Sequence, residues 1–153
     1  MRISDFLHPA AIEADLGASN KAGVLRELVG LILKVQPDLD PNHLVDTLQR
    51  REKLQSTGIG EGVAIPHGKT DAVEDVIACV GRSQGGVDFQ SLDGQPTHLF
   101  FTLIVPESKH GLHLKALARV SRLLKDATVR QALLDAPDAG SLFATLLAED
   151  EKL

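Results

Sequence analysis

The segment Leu99-Phe-Phe-Thr-Leu-Ile-Val105 is an apolar run without a charged residue, and Pro96 and Pro106 bound it. Its length and its aromatic and branched residues predict a β-strand that is buried on both faces. Such a strand lies at the centre of a sheet, because other elements must cover both of its faces. The segments before and after it should therefore supply helices that pack on the sheet.

Helical periodicity is found on both sides of this strand along the chain. The spacing of apolar residues predicts five helices, at about 20–35, 41–52, 110–125, 126–135 and 139–149. Residues that favour helix N-caps stand at the expected starts of four of them: Ser19 or Asn20, Asp40, Asp126 and Asp138. A proline follows Asp40, and proline is favoured at the first helical position.

Further strands are expected between the two groups of helices. Residues 76–80 predict a strand, and Gly85-Gly86 predicts a turn before a short strand at 87–89. The order is then helix, helix, several strands and again helices. We expect an α/β sandwich, in which a mixed sheet carries helices on both sides.

The composition excludes several classes of protein. The 153 residues suit one domain, and no apolar run approaches the ~18 residues of a membrane span. The N-terminal segment has no secretory apolar region and the chain has one cysteine, so we expect a cytoplasmic protein without disulfides. A net charge of -5 and the absence of Trp and Tyr argue against a nucleic-acid-binding protein.

The glycine-rich segment that ends in Pro66-His67-Gly68 holds the first candidate for chemistry. A neutral imidazole is a good nucleophile near physiological pH, because its ordinary pKa is about 6.5. We expect His67 to lie in a loop at the edge of a strand. Proline stiffens the backbone on one side of it, and Gly68 on the other side would let another molecule approach the ring. The N–H groups of the upstream glycines are suited to holding an anion. The alternative is a turn histidine without a chemical role.

His113 is the second candidate, near the start of the helix expected at 110–125. It stands in helical register with Leu117, Val120 and Leu124, so it should face the core close to a helix N-terminus, which favours anions. The alternative is a core histidine that donates to a backbone carbonyl. His110 and His113 also form an H-x-x-H pair, but zinc needs a third ligand and His110 falls off this face, so no metal site is expected.

The segment S-T-G-I-G-E-G-V-A-I-P-H-G-K, residues 56–69, resembles the active-site signature of a known family. The family is that of the IIA components of the bacterial sugar phosphotransferase system, mannitol/fructose type, and the nitrogen-regulatory branch is the most similar. The resemblance covers nearly the whole chain. It includes Leu7-His-Pro-x-x-Ile12, the Arg51-Glu52 pair, Val105-Pro106 and the helix that carries His113.

The resemblance implies a fold and a set of site residues. The fold is a single IIA domain over residues 1–153, with a mixed sheet of roughly five strands. His67 would accept a phosphoryl group at Nε2 from a histidine-containing phosphocarrier protein, with phosphoenolpyruvate as the ultimate donor. His113 and Arg51 match the family's second active-site histidine and its arginine. Thr57, Gly58 and Gly60 would add hydroxyl or backbone donors to the phosphoryl oxygens, and no cofactor or metal is implied.

The implied function is that of a phosphohistidine carrier that regulates other proteins according to its phosphorylation state. Potassium transporters and sensor kinases are the targets that the resemblance implies, and a chain that stops after one domain favours this regulatory role. Two alternatives remain open. One is a sugar-specific transport subunit that passes the phosphoryl group to a IIB cysteine, and the other is a protein-binding regulator without catalysis.

Overall fold

The computed structural model describes all 153 residues of the chain. The five predicted helices are all present: α1 (Lys21–Val35), α2 (Pro41–Leu54), α3 (His110–Leu124), α4 (Ala127–Asp135) and α5 (Ala139–Asp150). There are six strands: β1 (Leu7–Glu13), β2 (Gly58–Gly60), β3 (Val63–Ala64), β4 (His67–Thr70), β5 (Ile77–Val87) and β6 (Thr97–Pro106). Side chains cap four helices at the predicted residues, namely Asn20, Asp40, Asp126 and Asp138.

The six strands form one mixed sheet around β6. The order is β1-β5-β6-β3-β2, and β4 pairs with β6 beyond the end of β3. β5 runs antiparallel to β6, whereas β3 and β4 both run parallel to it. β4 has β6 as its one neighbour in the sheet and is therefore an edge strand.

The faces of β6 belong to two separate apolar cores, as the sequence predicts. Phe101 and Leu103 pack with residues of α3, α4 and α5 on one face. Phe100 and Ile104 pack with residues of α1 and α2 on the other face. The predicted α/β sandwich with helices on both sides is confirmed, and the sheet has six strands where roughly five were expected. None of the helices combines the length and apolar content that a membrane-spanning helix requires.

Two local predictions are corrected by the structure. Gly85-Gly86 is not a turn, because β5 continues to Val87 with a shift in its pairing to β6 after Arg82. The short strand predicted at 87–89 is wrong for the same reason, since Val87 ends β5 and Phe89 lies outside the strands. At Gly86 φ is +81°, and a Cβ there would lie 2.9 Å from atoms of Pro96 and His98. Gly86 thus permits a local irregularity in the pairing of a continuous strand. β1 was not predicted, since its segment contains alanines and a proline that are uncommon in strands. The short strands β2, β3 and β4 of the glycine-rich segment were not predicted either.

Candidate functional site

His67 is the first residue of β4, at the edge of the sheet. It pairs with Leu103 of β6, whose side chain belongs to the core beneath α3, so the ring of His67 faces α3. The next residue, Gly68, faces α2. A histidine that was expected in a loop is therefore held in a strand between two helices.

The close packing of α2 on β4 requires a residue without a side chain at position 68. A Cβ at this position would lie 2.6 Å from Cγ2 of Thr47 and 3.4 Å from its carbonyl oxygen. Any side chain would push α2 away from the strand, whereas glycine lets the helix lie against the backbone. The space beside Gly68 is thus filled by α2 and not by an approaching molecule.

The hydrogen bond of the His67 ring defines which nitrogen is reactive. Nδ1 lies 2.7 Å from the carbonyl oxygen of Ile65, and because a carbonyl only accepts, Nδ1 carries the proton and donates it. Nε2 of the neutral ring then holds a free lone pair. Burial lowers the pKa of His67 below 6.5, and the bond to Ile65 opposes this while the charge of Arg51 adds to it. The ring is therefore neutral and nucleophilic at physiological pH.

His113 lies against His67, with the ring centroids 5.5 Å apart and the planes tilted by 50°. Its side chain is buried and faces the core, as the helical register predicts, but no carbonyl accepts from it and its Nδ1 is buried without a partner. Burial and the neighbouring His67, together with Lys69, lower the pKa of His113 to about 4. Both histidines are consequently uncharged at neutral pH.

Arg51 of α2 lines a cleft of about 480 Å³ together with His67 and Lys69. Its Nη1 donates to the carbonyl oxygen of Gln55 at 2.8 Å, which holds the guanidinium at the C-terminal end of α2. The other side chains of the cleft are mostly polar, among them Glu107. The structure thus brings the three principal predicted residues, His67, His113 and Arg51, into one place.

Lys69 and His110 also belong to this cluster, although neither was predicted as a site residue from the sequence. Nζ of Lys69 lies 2.8 Å from Nδ1 of His110, and the ring of His110 stacks on His113 with the centroids 6.0 Å apart. The sequence could have indicated Lys69, because it stands two residues after His67 and residues two apart in a strand share a face. His110 stands three residues before His113, a spacing that brings side chains together on a helix.

Three weaker candidates do not face His67. Thr57 is buried, and both its N–H and its hydroxyl donate to the carboxylate of Glu52. A Cβ on Gly58 would meet Ser91, and one on Gly60 would meet Asp93. Gly58 and Gly60 thus lie beside the segment after β5, and the N–H of Gly58 donates to Oγ of Ser56 at 3.0 Å. The donors of Thr57 and Gly58 are therefore used within the protein.

The cluster is suited to receiving an anionic group on a nitrogen nucleophile. Nε2 of His67 has a lone pair, Arg51 and Lys69 supply positive charge, and His113 is a neutral neighbour whose single proton is available for a hydrogen bond. No group of three or more His, Cys, Asp or Glu side chains is arranged to hold a metal ion.

Comparisons with known proteins indicate the family of the chain. A family model described as "Phosphoenolpyruvate-dependent sugar phosphotransferase system, EIIA 2" matches residues 5–149. The chain is 38% identical over 146 residues to a nitrogen regulatory protein of Bradyrhizobium diazoefficiens, covering 95% of each protein. It is 36% identical over 151 residues to the fructose-specific EIIABC component of Bacillus subtilis, covering 99% of this chain and 24% of that protein.

A solved structure shows the same fold over nearly its whole length. The crystal structure of the nitrogen regulatory protein IIA-Ntr from Neisseria meningitidis matches with a TM-score of 0.87 and 33% identity, covering 94% of this chain and 98% of that one. The family model covers residues 5–149, which is nearly the whole chain. On these grounds the chain belongs to the EIIA 2 family of the phosphoenolpyruvate-dependent sugar phosphotransferase system.

Proposed function

We propose that this protein is a phosphohistidine carrier, in which Nε2 of His67 accepts a phosphoryl group from a histidine-containing phosphocarrier protein. The observation that carries the proposal is the contact of Nδ1 with the Ile65 carbonyl oxygen at 2.7 Å. It keeps the proton on Nδ1 and leaves the lone pair of Nε2 free. The acting unit is the whole chain, residues 1–153, because the two apolar cores share one sheet.

The transfer of the phosphoryl group between the two imidazole rings needs no added acid, base or metal. The lone pair of Nε2 forms the new N–P bond, and the electron pair of the donor's N–P bond returns to the donor's imidazole. The transition state is loose, and its charge is spread over three equatorial oxygens. The Ile65 carbonyl stabilises the positive charge that the His67 ring gains, since it accepts from the Nδ1 proton.

The neighbours of His67 have distinct roles in this proposal. Arg51 gives planar, charge-assisted contacts to the phosphoryl oxygens, and the ammonium of Lys69 adds a second positive charge. The neutral ring of His113 keeps its proton on Nε2, because an N–H at the buried and unpartnered Nδ1 would be costly. The Nε2–H group of His113 then donates a hydrogen bond to an oxygen of the phosphoryl group. The lowered pKa values keep both rings neutral, so that His67 can accept the phosphoryl group while His113 donates a hydrogen bond to it.

The phosphorylated protein is proposed to act as a regulator in the cytoplasm. Phosphorylation adds about -1.5 to -2 charges at the cleft, by analogy with other phosphorylated residues, and so changes which partners bind there. Two relatives that match over 93% or more of both lengths are named nitrogen regulatory proteins, which supports this branch. Potassium transporters and sensor kinases are the proposed classes of target.

Transfer to a IIB cysteine of a sugar transporter is the second candidate function. The identity to the fructose-specific component is close to that of the nitrogen regulatory protein, so similarity alone favours neither branch strongly. A purified sugar IIB protein that accepts the phosphoryl group rapidly would support transport. Transfer no faster than to a mismatched IIB protein would count against it. A binding regulator without catalysis instead predicts that partners bind alike whether or not His67 is phosphorylated.

The test of the proposed function is phosphorylation from phosphoenolpyruvate in the presence of the upstream enzymes of each branch. Intact mass, read above neutral pH because phosphohistidine is acid-labile, should increase by one phosphoryl group. His67→Ala should abolish the gain. His98→Ala is the matched control, since Nδ1 of His98 also donates to a backbone carbonyl, that of Ser83 at 3.0 Å, but outside the cleft. Equal labelling of the His67 variant would refute the assignment.

A further inference from the structure

Glu52 is a buried carboxylate beside Arg51 that has no direct role in the proposed transfer. Only 8% of the residue is exposed. The N–H of Thr57 donates to its two oxygens at 3.0 and 3.2 Å, and the hydroxyl of Thr57 donates to one of them. Nζ of Lys21 lies 2.7 Å from Oε2 and compensates the buried charge.

A continuous series of hydrogen bonds leads from this carboxylate to the His67 ring. The carbonyl oxygen of Thr57 accepts from the N–H of Ile65 at 3.0 Å. The carbonyl oxygen of Ile65 in turn accepts from Nδ1 of His67 at 2.7 Å. Glu52 thus holds Thr57, Thr57 holds Ile65, and Ile65 orients the ring.

The link through Ile65 matters because it lies between two strands. β3 ends at residue 64 and β4 begins at residue 67, so Ile65 and Pro66 belong to neither strand. Pro66 has no N–H, and the N–H of Ile65 is satisfied by Thr57. The Ile65 carbonyl is therefore held from two sides: the N–H of Ile65 is fixed on Thr57, and the carbonyl oxygen of Pro66 accepts from the N–H of Leu103 at 2.9 Å. Thr57 supplies the first of these two anchors.

The same carboxylate stabilises the segment that holds Arg51. Residues 55 and 56 connect α2 to Thr57, and Arg51 donates to the carbonyl oxygen of Gln55. Glu52 fixes the far end of this connection through Thr57. Lys21, which pairs with Glu52, also lies 4.7 Å above the ring of Phe89 and is thereby held in place.

We propose that Glu52 is a positioning residue, which selects the Nδ1-protonated tautomer of His67 through Thr57 and Ile65. Without a fixed acceptor at Nδ1, a neutral histidine populates both tautomers. The Nε2-protonated form has no lone pair where the phosphoryl group must bind. The consequence for rate rests on the proposed function, but the tautomer itself is a property of the unphosphorylated protein.

The test compares Glu52→Gln and Glu52→Ala with matched variants of Glu27. The carboxylate of Glu27 also accepts backbone N–H groups, those of Gly17 and Ala18, but it does so between β1 and α1, outside the cleft of His67. The ¹⁵N chemical shifts of the His67 ring report the tautomer. Both Glu52 variants should shift the ring towards the Nε2-protonated form, whereas Glu27→Gln and Glu27→Ala should leave it as in the wild type.

Single-turnover phosphorylation from the donor protein gives the second readout. The Glu52 variants should be slower by about tenfold or more, because a wrong tautomer removes the nucleophile. An unchanged tautomer in folded Glu52→Gln, or equal effects of the Glu52 and Glu27 substitutions on the tautomer, would overturn the proposal. If the wild type accepted no phosphoryl group, the proposed function would fail while the NMR comparison still decided the role of Glu52.

Thr57 provides an independent pair of variants. Thr57→Val removes the hydroxyl donor to Glu52 and keeps the size of the side chain, so it should change the His67 tautomer in the same direction. Thr57→Ser keeps the hydroxyl and should restore most of what the valine variant loses. A valine variant with the wild-type tautomer would contradict the proposed route through Thr57.

Discussion

Replacing Gly68 by alanine should separate α2 from β4 and so impair the site. The added Cβ would lie 2.6 Å from Cγ2 of Thr47, about 1 Å closer than ordinary contacts between carbon atoms. Overpacking of this kind costs about 1–3 kcal/mol. Alanine also reduces the entropy of the unfolded chain, which recovers about 0.4–1 kcal/mol. We expect a net loss on the order of 1–2 kcal/mol in the free energy of unfolding.

The substitution should slow phosphorylation as well as destabilise the fold. Arg51 lies one helical turn after Thr47 on α2, so a displaced helix moves the guanidinium away from His67. Urea unfolding followed by circular dichroism gives the change in stability from the midpoint at constant slope. Single-turnover phosphorylation at a urea-free, fully folded condition gives the change in rate.

Thr47→Ser is the matched partner for a double-mutant cycle. It removes Cγ2, the atom that would clash, and keeps the hydroxyl that donates to the carbonyl oxygen of His43 at 2.8 Å. The serine should recover most of the stability and the rate lost in Gly68→Ala, with an interaction free energy of about 0.5–3 kcal/mol. Additive effects of the two substitutions, or a Gly68→Ala protein as stable as the wild type, would refute the packing argument.

Three further predictions concern titration and reactivity. His113 titrates near pH 4 in the folded chain and near its ordinary 6.5 when unfolded, so stability should fall as the pH drops through this interval. The loss should be about 1 kcal/mol between pH 6.5 and 5 after allowance for solvent at the cleft, and His113→Leu should reduce it in urea unfolding at each pH. The charge of Arg51 lowers the pKa of His67, so Arg51→Gln should move the acid limb of the phosphorylation rate to higher pH; an unchanged limb would contradict this. Burial raises the pKa of the Cys79 thiol to about 12, so a thiol reagent should modify it only when urea unfolds the protein, and rapid labelling of the native chain would disprove it.

The helices and the central strand were predictable because burial leaves a periodic pattern in the sequence. The run 99–105 reads as apolar on both faces, and β6 is buried against two cores. Side-chain caps at Asn20 and Asp40 marked helix starts, because these residues satisfy backbone N–H groups locally. β1, the short strands β2 to β4 and the irregularity in β5 were not predicted, since they depend on pairing with other segments of the chain.

The candidate site was only partly predictable for the same reason. His67 has a local signature and His113 shows in the register of its helix, whereas Arg51 came from family resemblance. Thr57 was assigned to phosphate binding from its position in the motif, but the structure directs it to Glu52. Lys69 and His110 are 41 residues apart, and only the packing of α3 beside β4 brings them together.

The sequence by itself determined which segments have helical and which have strand periodicity, and it singled out His67 as the proposed nucleophile, because these are properties of neighbouring residues. Only the tertiary structure decided which nitrogen of His67 is free and which charges surround it. Those features depend on a carbonyl held by residue 57 and on two helices that flank an edge strand. Such contacts join distant segments through packing and hydrogen bonding, for which no local pattern exists.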